Sequence, residues 1–415
     1  MRSGLTIALL FGAAALGVAA TRHAGQAKPE GAPPLQKYRV SPTELPAPGT
    51  GTANPPQVVD RPAGAQLNLP PGFKIDQFAD EGQFKTLRYI IEGPDGEVFA
   101  ADVTGNTITS LNDTNNDGKV DERHVFADGL NRPWGMAIAN GYFYVGNTDS
   151  VVRWKYTAGQ KHVEGAPEKI APLPGGGGHS TRTLMFNADA TKLYVTVGSA
   201  SNVDVETGRA LILEMNPDGS GNRVFASGIR NPVGLAIQPG TNQLWTSVNE
   251  RDMLGDDLVS DYVTHVQDGG FYGWPFAYLG QHEDPRRKGE RPDLVAKAIV
   301  PDVLLQSHSA PLGMVFYTAG AFPAEYKGDA FVALHGSWNR KVRTGYKVVR
   351  VTFKDGKPTG EYEDFITGWL PDETKSEVWG RPVSLAVHRD GSLLVSDDAH
   401  NLIWRVTYAG TGSGN

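Results

Sequence analysis

A short pattern of hydrophobic and polar positions recurs along this chain. Each copy has an apolar strand of about five residues, a turn rich in Gly, Asn, Asp or Pro, and a second strand of β-branched and aromatic residues. The first strands of the six copies start near Leu87, Pro133, Leu184, Asn231, Pro311 and Arg381. The first four starts lie about 45 to 50 residues apart, which is a repeat length typical of β-propeller blades. The pattern therefore predicts an all-β fold, a six-bladed β-propeller, over residues 66–409.

Longer spacing before the fifth and sixth copies indicates insertions. The largest spans residues 251–301 and contains an acidic run followed by the aromatic segment GGFYGWP. Loops on a rigid scaffold usually carry specificity, so this insertion is expected to form the rim of a pocket. The last strand, residues 401–408, is expected to pair with the first and close the ring. Residues 410–415 are predicted to be a frayed tail.

The N-terminal region has two parts. Residues 1–20 combine a positive charge, an apolar run and small residues, which predicts a secretory signal peptide cleaved after Ala20. We therefore expect a periplasmic or secreted protein with no stable membrane span after cleavage. Residues 21–65 are rich in Pro, Ala and Gly and are predicted to be a mobile spacer, with an arm ordered on the propeller as the alternative.

Composition narrows the classes of function. The chain has 415 residues with 50 glycines and 28 prolines, which agrees with many short strands joined by turns. Its net charge of −7 provides no basic surface for a nucleic acid partner. It has no cysteine, which excludes covalently attached c-type haem, thiolate zinc sites and a cysteine nucleophile.

Polar residues at the starts of the inner strands are the candidates for chemistry, because in a propeller these positions converge on the central axis at one face. They are Arg88, Trp134, His179, Arg182, Arg230, Asn231, His308, Ser309 and Arg381, with Arg340 nearby. Converging arginines are unfavourable unless an anion lies between them, and Arg binds carboxylates bidentately, so the pocket is expected to hold a polyanion. The alternative is that each Arg pairs with a neighbouring carboxylate. Trp134 and Trp338 suit either stacking on a flat ring or the core.

Two histidines are candidate bases. His179 follows four glycines before the third inner strand. A histidine with an ordinary pKa can take a proton from a substrate hydroxyl near neutral pH, so His179 is the candidate general base, with a structural role as the alternative. His335, in the polar segment HGSWNR, is the rival base.

A separate cation site is indicated by oxygen-bearing residues at alternate positions with a glycine at the turn. These residues are Asp113, Asn115, Asp117 and Asp121. They match the start of a calcium loop, although a histidine replaces the usual closing glutamate. The alternative is an Asx-rich hairpin turn.

Six segments in the same order resemble one known family. They are GGGGHSTRTLMF (175–186), SGIRNPVGLAI (227–237), GGFYGWP (269–275), HSAPLGM (308–314), ALHGSWNR (333–340) and GRPVSLAVHRDGSLLVSD (380–397). Over residues 67–408 the chain resembles the soluble pyrroloquinoline-quinone-dependent sugar dehydrogenases, most closely the sorbosone or pyranose dehydrogenase branch. That family has a six-bladed propeller, in agreement with the repeat pattern.

The resemblance implies a role for each matched position. His179 and Arg230 would be the catalytic residues, His179 as the base, and Asn231 would lie with Arg230 beside the quinone. Arg381 would bind quinone carboxylates; some members carry a second Arg where this chain has Val383. The other implied quinone contacts are Arg88, Trp134, Arg182, Ser309, His335 and Arg340.

Family members also hold a calcium ion against the quinone. Its ligands are backbone carbonyls in the loop after the fourth inner strand, here those of Glu250 and Arg251. The sequence at this loop differs from the usual Gly-Pro, and Arg340 or Lys341 stands where a lysine is expected.

The implied activity is oxidation of a sugar hydroxyl or aldehyde by hydride transfer to pyrroloquinoline quinone (PQQ), with Ca²⁺ polarising the quinone and an external electron acceptor such as a quinone, cytochrome or dye. Two alternatives stay open. One is a metal-dependent lactonase or esterase, whose pocket would be ringed by Glu, Asp and Asn. The other is a non-catalytic propeller that binds a carbohydrate or a protein.

Overall fold

The six predicted strand pairs form, and each becomes the inner half of an antiparallel sheet with four strands, or with five in the fifth blade, to which an N-terminal strand is added. The computed structural model describes residues 34–82 and 84–410. The predicted signal peptide, the first part of the predicted spacer and the predicted tail from residue 411 lie outside the described residues. Local turn chemistry explains the hairpins. For example, Asn140 and Gly141 have φ of 53° and 75°, the left-handed conformations of a two-residue turn that favours these residue types.

The described chain begins with three strands, β1 (Lys37–Tyr38), β2 (Gln57–Val58) and β3 (Phe73–Ala79). Blade 1 contains β4 (Leu87–Glu92), β5 (Val98–Asp102), β6 (Thr107–Asn112) and β7 (Glu122–Ala127). Blade 2 contains β8 (Met136–Ala139), β9 (Tyr142–Asn147), β10 (Ser150–Lys155) and β11 (Glu168–Pro172). Blade 3 contains β12 (Leu184–Phe186), β13 (Leu193–Val197), β14 (Leu211–Met215) and β15 (Arg223–Ser227).

Blade 4 begins with β16 (Asn231–Ile237), β17 (Leu244–Asn249) and β18 (Ser260–His265). An added segment follows, with β19 (Ala277–Tyr278), β20 (His282–Glu283), a 3₁₀ turn (Pro285–Arg287) and helix α1 (Pro292–Val295), before the outer strand β21 (Val303–Ser307). Blade 5 contains β22 (Pro311–Phe316), a 3₁₀ turn (Ala324–Tyr326), β23 (Ala330–Leu334), β24 (Lys347–Lys354) and β25 (Lys357–Ile366). Blade 6 follows β26 (Glu377–Val378) and contains β27 (Pro382–Val387), β28 (Leu393–Asp397) and β29 (Leu402–Tyr408). None of the helices in the described ranges has the length and apolar character that a bilayer span requires.

The ring closes through strands from opposite ends of the chain. β3 pairs antiparallel with β29, with Ile75 opposite Val406, and so becomes the outer strand of blade 6. The innermost strands β4, β8, β12, β16, β22 and β27 each contact the next around the ring, and β27 contacts β4. The prediction of a six-bladed propeller is confirmed.

Apolar side chains fill the space between neighbouring blades. Between blades 1 and 2, the rings of Phe99, Phe126 and Phe143 pack edge to face or tilted, with centroids 4.6–4.8 Å apart. Each aromatic pair of this kind contributes about 0.5–1.5 kcal/mol beyond its buried area. A similar cluster around Phe73 and Phe365 joins blade 6 to blade 5. These contacts make a rigid scaffold for the loops at its ends.

The insertion differs from its predicted bounds, 251–301. Residues 260–265 form β18, the third strand of blade 4, so the added segment begins only after it. The acidic residues before this strand concealed its start. The added segment packs against blade 3 through a backbone hydrogen bond at Ser227. It also covers the side chain of Arg251, which is fully buried. The fully buried guanidinium of Arg251 donates to the carbonyl of Pro275 at 3.1 Å. Most of this segment is therefore a support for the rim.

The second half of the predicted spacer is ordered, which corrects the prediction of a mobile segment. β1 pairs with β25, with Lys37 opposite Glu363, and β2 pairs in parallel with β26. Residues 49–59, which include β2, run along the ends of blades 4 to 6. The extended backbone supplies hydrogen bonds to exposed strand and loop groups, so the alternative of an ordered arm holds for residues 34–65.

Candidate functional site

The starts of the inner strands and the ends of the second strands lie at the same end of the ring, because these strands are antiparallel neighbours. Side chains from several blades meet there in two groups. The first group contains Arg88, His335, Arg381 and Asp398. The second group contains His179, Arg230, Asn231, Asp252 and Asn339.

The first group is a buried network around His335. Arg88 donates to the Asp398 carboxylate, and Asp398 Oδ1 lies 2.9 Å from His335 Nε2. Arg381 Nη2 lies 3.0 Å from His335 Nδ1. Because a guanidinium only donates, Nδ1 accepts and the proton of His335 lies on Nε2, where it is donated to Asp398. Both ring nitrogens of His335 are therefore engaged.

The electrostatics of this group follow from its burial. Burial and the nearby Arg381 lower the pKa of His335 to about 4 against the opposing effect of Asp398, so the ring is neutral at pH 7. Burial alone would raise the pKa of Asp398, but His335 and the guanidinium groups of Arg88 and Arg381 hold it well below its usual range. Arg88 also lies over the ring of Trp134, 5.1 Å from its centroid. The net result is one carboxylate facing two arginines.

In the second group, His179 is held in one orientation. Its Nδ1 lies 2.8 Å from the carbonyl oxygen of Ser199, which can only accept, so Nδ1 carries the proton and Nε2 is the basic nitrogen. Burial and the positive charge of Arg230 lower the pKa of His179 to about 4. Gly198 lies against it: a Cβ there would come 2.7 Å from His179 Cβ and would also meet Asn231 Oδ1. A glycine at this position thus lets His179 and Asn231 lie side by side.

Arg230 is anchored by the loop that follows β17. Its Nη1 donates to the Glu250 carbonyl at 2.6 Å, and its Nη2 donates to Asp252 Oδ2, also at 2.6 Å. Asn339 Nδ2 donates to the other oxygen of Asp252 at 2.6 Å and lies 3.1 Å from His308 Nδ1. A loop of blade 5 therefore helps to hold an arginine of blade 4.

Several buried polar atoms at this face have no protein partner. Among the described residues these include Arg230 Nε, Arg381 Nε and Asn231 Oδ1. An unsatisfied buried donor or acceptor costs about 1–3 kcal/mol, so such atoms are uncommon in folded proteins unless a ligand or water meets them. The two arginine N–H groups form a donor set that fits an anionic group, whereas the amide oxygen of Asn231 accepts and fits a hydroxyl or an N–H donor.

The terminal nitrogens of Arg182 bond to its own loop. Its guanidinium donates to the backbone carbonyls of Thr181 at 2.6 Å and Pro174 at 2.7 Å, and to that of His179 at 3.2 Å. Burial lowers its pKa to about 10. These bonds fix the glycine-rich loop that carries His179. Arg182 Nε is buried without a partner among the described residues, so its contact with the cofactor stays a prediction. Arg209, which the sequence did not single out, donates to carbonyls of the same loop.

Three other predicted contacts have protein partners. Ser309 Oγ donates to the buried Asp261 at 3.3 Å, and Arg340 pairs with Asp257 at the rim. The alternative that each Arg pairs with a neighbouring carboxylate holds for Arg340. It also holds for Arg88 with Asp398 and for Arg230 with Asp252. Trp134 is buried and donates from Nε1 to Thr183 Oγ1 at 3.0 Å, so it belongs to the core with Arg88 on its face. Trp338, in contrast, is 45% exposed.

Of the two backbone carbonyls predicted as calcium ligands, that of Glu250 already accepts a hydrogen bond from the cationic Arg230, which opposes a metal ion at that oxygen. The Arg251 carbonyl stays a prediction. In the described ranges, no group of three or more His, Cys, Asp or Glu side chains is arranged to bind a metal ion.

The predicted calcium loop takes the form of a hairpin turn. Its residues Asp113, Asn115, Asp117 and Asp121 bond within the turn. The Asp121 carboxylate accepts from the Thr114 amide at 2.9 Å, and the Asp113 carboxylate accepts from the Gly118 amide at 2.8 Å. Backbone amides thus order the turn through these carboxylates, as an Asx-rich turn requires, and the cation site stays a prediction.

The sequence analysis missed Asp398, Asp252 and Asn339. All three follow the ends of second strands, β28, β17 and β23. Because an inner strand starts where its neighbour ends, these positions reach the same face. Polar residues just after each second strand were the signal that could have found them.

Comparisons with known proteins agree with this architecture. The family model described as TrAA12-like matches residues 67–267 and 287–409. An uncharacterised protein of Borreliella burgdorferi is 30% identical over 355 residues, which cover 82% of this chain and 91% of that protein. A PQQ-dependent pyranose dehydrogenase of Coprinopsis cinerea is 28% identical over 283 residues, 53% of this chain. The match spans 38% of the length of that relative.

A solved structure shows the same fold. The calcium structure of a Trichoderma reesei carbohydrate-active enzyme of family AA12 superposes with a TM-score of 0.73 at 21% identity, covering 86% of this chain and 100% of that chain. This likeness supports the six-bladed ring. Because the family model matches most of the propeller, this chain belongs to the TrAA12-like family.

Proposed function

We propose that this protein is a PQQ-dependent sugar dehydrogenase that passes electrons to an external acceptor. One observation carries the proposal: buried arginine donors without a protein partner lie at the same face as a neutral histidine whose basic nitrogen is Nε2. Arginine suits the carboxylates of the quinone, and a neutral imidazole suits a sugar hydroxyl. The name of the Coprinopsis cinerea relative, a PQQ-dependent pyranose dehydrogenase, supports the same cofactor and substrate class.

The donor set fits PQQ. Arg381 and Arg230 each present a buried Nε, and Arg88 lies beside Arg381. When bound, PQQ would supply the hydride-accepting centre. The chain would supply cations for the carboxylates of the quinone and a site whose buried walls exclude water.

His179 would act as the general base. Its Nε2 accepts the proton of the sugar hydroxyl, while the bond from Nδ1 to Ser199 fixes the ring. The low pKa keeps the ring neutral at physiological pH, which preserves its capacity to accept a proton. Arg182 and Arg209 contribute by holding the loop that carries it.

His335 would act as a positioning residue. Because Arg381 and Asp398 engage both ring nitrogens, neither is available to take a proton from substrate. His335 and Asp398 instead fix Arg88 and Arg381 relative to each other. This arrangement favours His179 over His335 as the base.

Calcium is the second proposed cofactor, supported by the resemblance and by the Trichoderma reesei calcium structure. The residues as arranged do not fit an ion at the Glu250 carbonyl, because the cationic Arg230 occupies that oxygen. We therefore assign no step of the reaction to the ion. Titration of the purified protein with Ca²⁺, with and without PQQ, tests whether the ion binds only together with the quinone.

The finer features of the proposal are the sugar and the location. We propose a pyranose- or sorbosone-like substrate, and a periplasmic or secreted protein released by cleavage after Ala20. An exported protein that retains Met1 by mass spectrometry would contradict the cleavage. A lactonase or esterase is disfavoured because Arg and His, rather than Glu, Asp and Asn, dominate the starts of the inner strands.

Reconstitution tests the function. Purified protein is loaded with PQQ and Ca²⁺, and dye reduction is followed with a panel of aldoses and ketoses. We expect PQQ binding by calorimetry and sugar-dependent dye reduction. Protein that binds no PQQ would refute the proposal. Protein that binds sugars without PQQ would indicate the non-catalytic propeller instead.

A further inference from the structure

The ordered arm, defined here as residues 49–59, crosses the face that carries the candidate site. It contacts the blade-4 loop (residues 252–257), then the blade-5 loop (residues 338–343), and then β26 and blade 6. The arm therefore follows half of the rim, across three neighbouring blades. Its backbone bonds include that from Gly49 N to the Leu254 carbonyl at 2.7 Å.

The arm binds the blade-4 loop through Thr52. Its backbone amide and its hydroxyl donate to the two oxygens of Asp256, at 2.8 and 3.1 Å. Asp256 Oδ2 also accepts from the Lys341 amide at 3.2 Å, so this one carboxylate joins the arm to both loops. Gly51 is buried, and a Cβ there would come 3.1 Å from Met253 Cα, which leaves the arm little room to shift.

Asn54 joins the arm to the blade-5 loop. Its side-chain amide donates to the carbonyls of Arg340 and Lys341 at 3.0 and 3.1 Å, and its backbone amide donates to that of Trp338 at 2.7 Å. Arg343, 1% exposed, donates to both the side-chain and the backbone oxygen of Asn54 at 2.7 Å. The buried Arg343 also donates to the carbonyls of Pro55 and Lys375, at 2.9 and 2.6 Å, so it joins the arm to blade 5 and to the segment before β26.

The blade-4 and blade-5 loops are hydrogen-bonded to each other beside Arg230. Asn339, which lies between the carbonyls bound by the arm, donates to Asp252 at 2.6 Å, and Asp252 pairs with Arg230 at 2.6 Å. Every link from Asn54 to Arg230 is a hydrogen bond, an ion pair or a short piece of backbone. The position of Arg230 therefore depends on a segment that is remote from it in the chain.

We propose that the arm positions Arg230, with Thr52 and Asn54 as its positioning residues. The proposal rests on the proposed function, because it assigns to Arg230 the binding of PQQ. The arm acts by holding the blade-4 and blade-5 loops together, so that Asp252 and Asn339 present Arg230 in one orientation.

A mutant cycle on the full chain tests this role. Thr52→Val removes one hydrogen bond at constant shape, Thr52→Ser keeps it, and Thr43→Val is the matched control on an exposed threonine outside the arm. We expect Thr52→Val to weaken PQQ binding roughly twofold to tenfold, the effect of one hydrogen bond, with Thr52→Ser near wild type. In an Arg230→Ala background, Thr52→Val should have no further effect. Equal losses in both backgrounds would overturn the proposal.

Amide hydrogen exchange gives a second readout that needs no cofactor. Thr52→Val and, independently, Asn54→Ala should speed exchange in the blade-4 and blade-5 loops and leave β10 of blade 2, which bonds to neither loop, unchanged. Unchanged exchange in both loops would overturn the proposal, as would an increase spread evenly over the propeller. If the wild-type protein binds no PQQ, the proposed function fails, and exchange in the loops alone decides whether the arm holds them.

Discussion

Replacing His179 by alanine removes the proposed base while leaving its surroundings intact. The side chain is half-buried and bonded to Ser199, whose hydroxyl keeps its own bond to the Ser201 carbonyl. The fold and the arginines that would bind PQQ do not depend on the imidazole. Because a positioned base contributes about 10²- to 10⁴-fold, we expect His179→Ala to lose at least about a hundredfold in kcat.

The pH dependence is a stricter test than the loss itself. Only neutral imidazole accepts a proton, and burial together with Arg230 lowers the pKa of His179 to about 4. The neutral form exceeds the charged form about tenfold at pH 5, so activity should be nearly constant from pH 7 to 5 and fall to half near pH 4. A histidine of ordinary pKa, 6.5, would place this fall about 2.5 pH units higher.

Steady-state kinetics of the PQQ-loaded protein measure both effects, with PQQ affinity from calorimetry as the check on binding. His162→Ala, which alters an exposed histidine in blade 2, is the matched control. If the residual activity of His179→Ala still falls to half near pH 4, the group that titrates there is not His179. If His335→Ala abolishes turnover in loaded enzyme and His179→Ala leaves it intact, the assignment of the base is wrong.

Three further predictions concern the arginine network and its histidines. Arg381→Ala should weaken PQQ binding at least about tenfold, because a charged hydrogen bond contributes roughly 1.5–3 kcal/mol; unchanged affinity by calorimetry would contradict the anion-binding argument. Asp398→Asn should lower the free energy of unfolding by about 3 kcal/mol, the lower end for a broken buried pair because Arg88 is partly exposed; an unchanged urea midpoint would contradict it. Lowering the pH from 7 to 4.5 should lower the Tm of the wild type more than that of His179→Ala, because the unfolded histidine takes up a proton near its ordinary pKa whereas folded His179, with a pKa of about 4, does not. The buried Asp261 and Asp397, whose pKa values burial raises to about 7 and about 6, act in the opposite direction but are the same in both proteins. The difference should develop between about pH 6.5 and 4, and Tm curves that stay parallel across that window would contradict it.

The ring could be predicted because its signals are local. A turn such as Asn140-Gly141 sets the hairpin, and the alternation of the flanking strands sets which face is buried. The start of β18 was missed because the acidic residues before it resemble a loop. Its place in blade 4 is determined by its pairing with β17. The order of the arm was not predicted because its Pro-rich sequence has no alternation of hydrophobic and polar positions. The arm is ordered by hydrogen bonds to loops of other blades.

The site could be predicted only in part, for a related reason. Propeller geometry places the residues at the starts of inner strands on one face, which brought Arg230 and Arg381 into consideration. What each guanidinium binds depends on its neighbours in space. Arg182 turns to its own loop, while Arg381 faces His335, and neither direction follows from the spacing. Asp398, which bonds to His335, follows β28, whereas Arg381 precedes the neighbouring strand β27.

The pairing of β3 with β29 has a consequence for the order in which the molecule is completed. During synthesis β3 is made early and its partner β29 near the end. The edge of β3 therefore stays unpaired while blades 1 to 5 are synthesised and fold one after another. Bringing distant segments together adds little further entropy cost as the intervening chain lengthens, so the delay is one of time more than of free energy. Arg381 and Asp398 lie in this same last blade. A nascent chain therefore acquires a closed ring and a complete arginine network in a single final event.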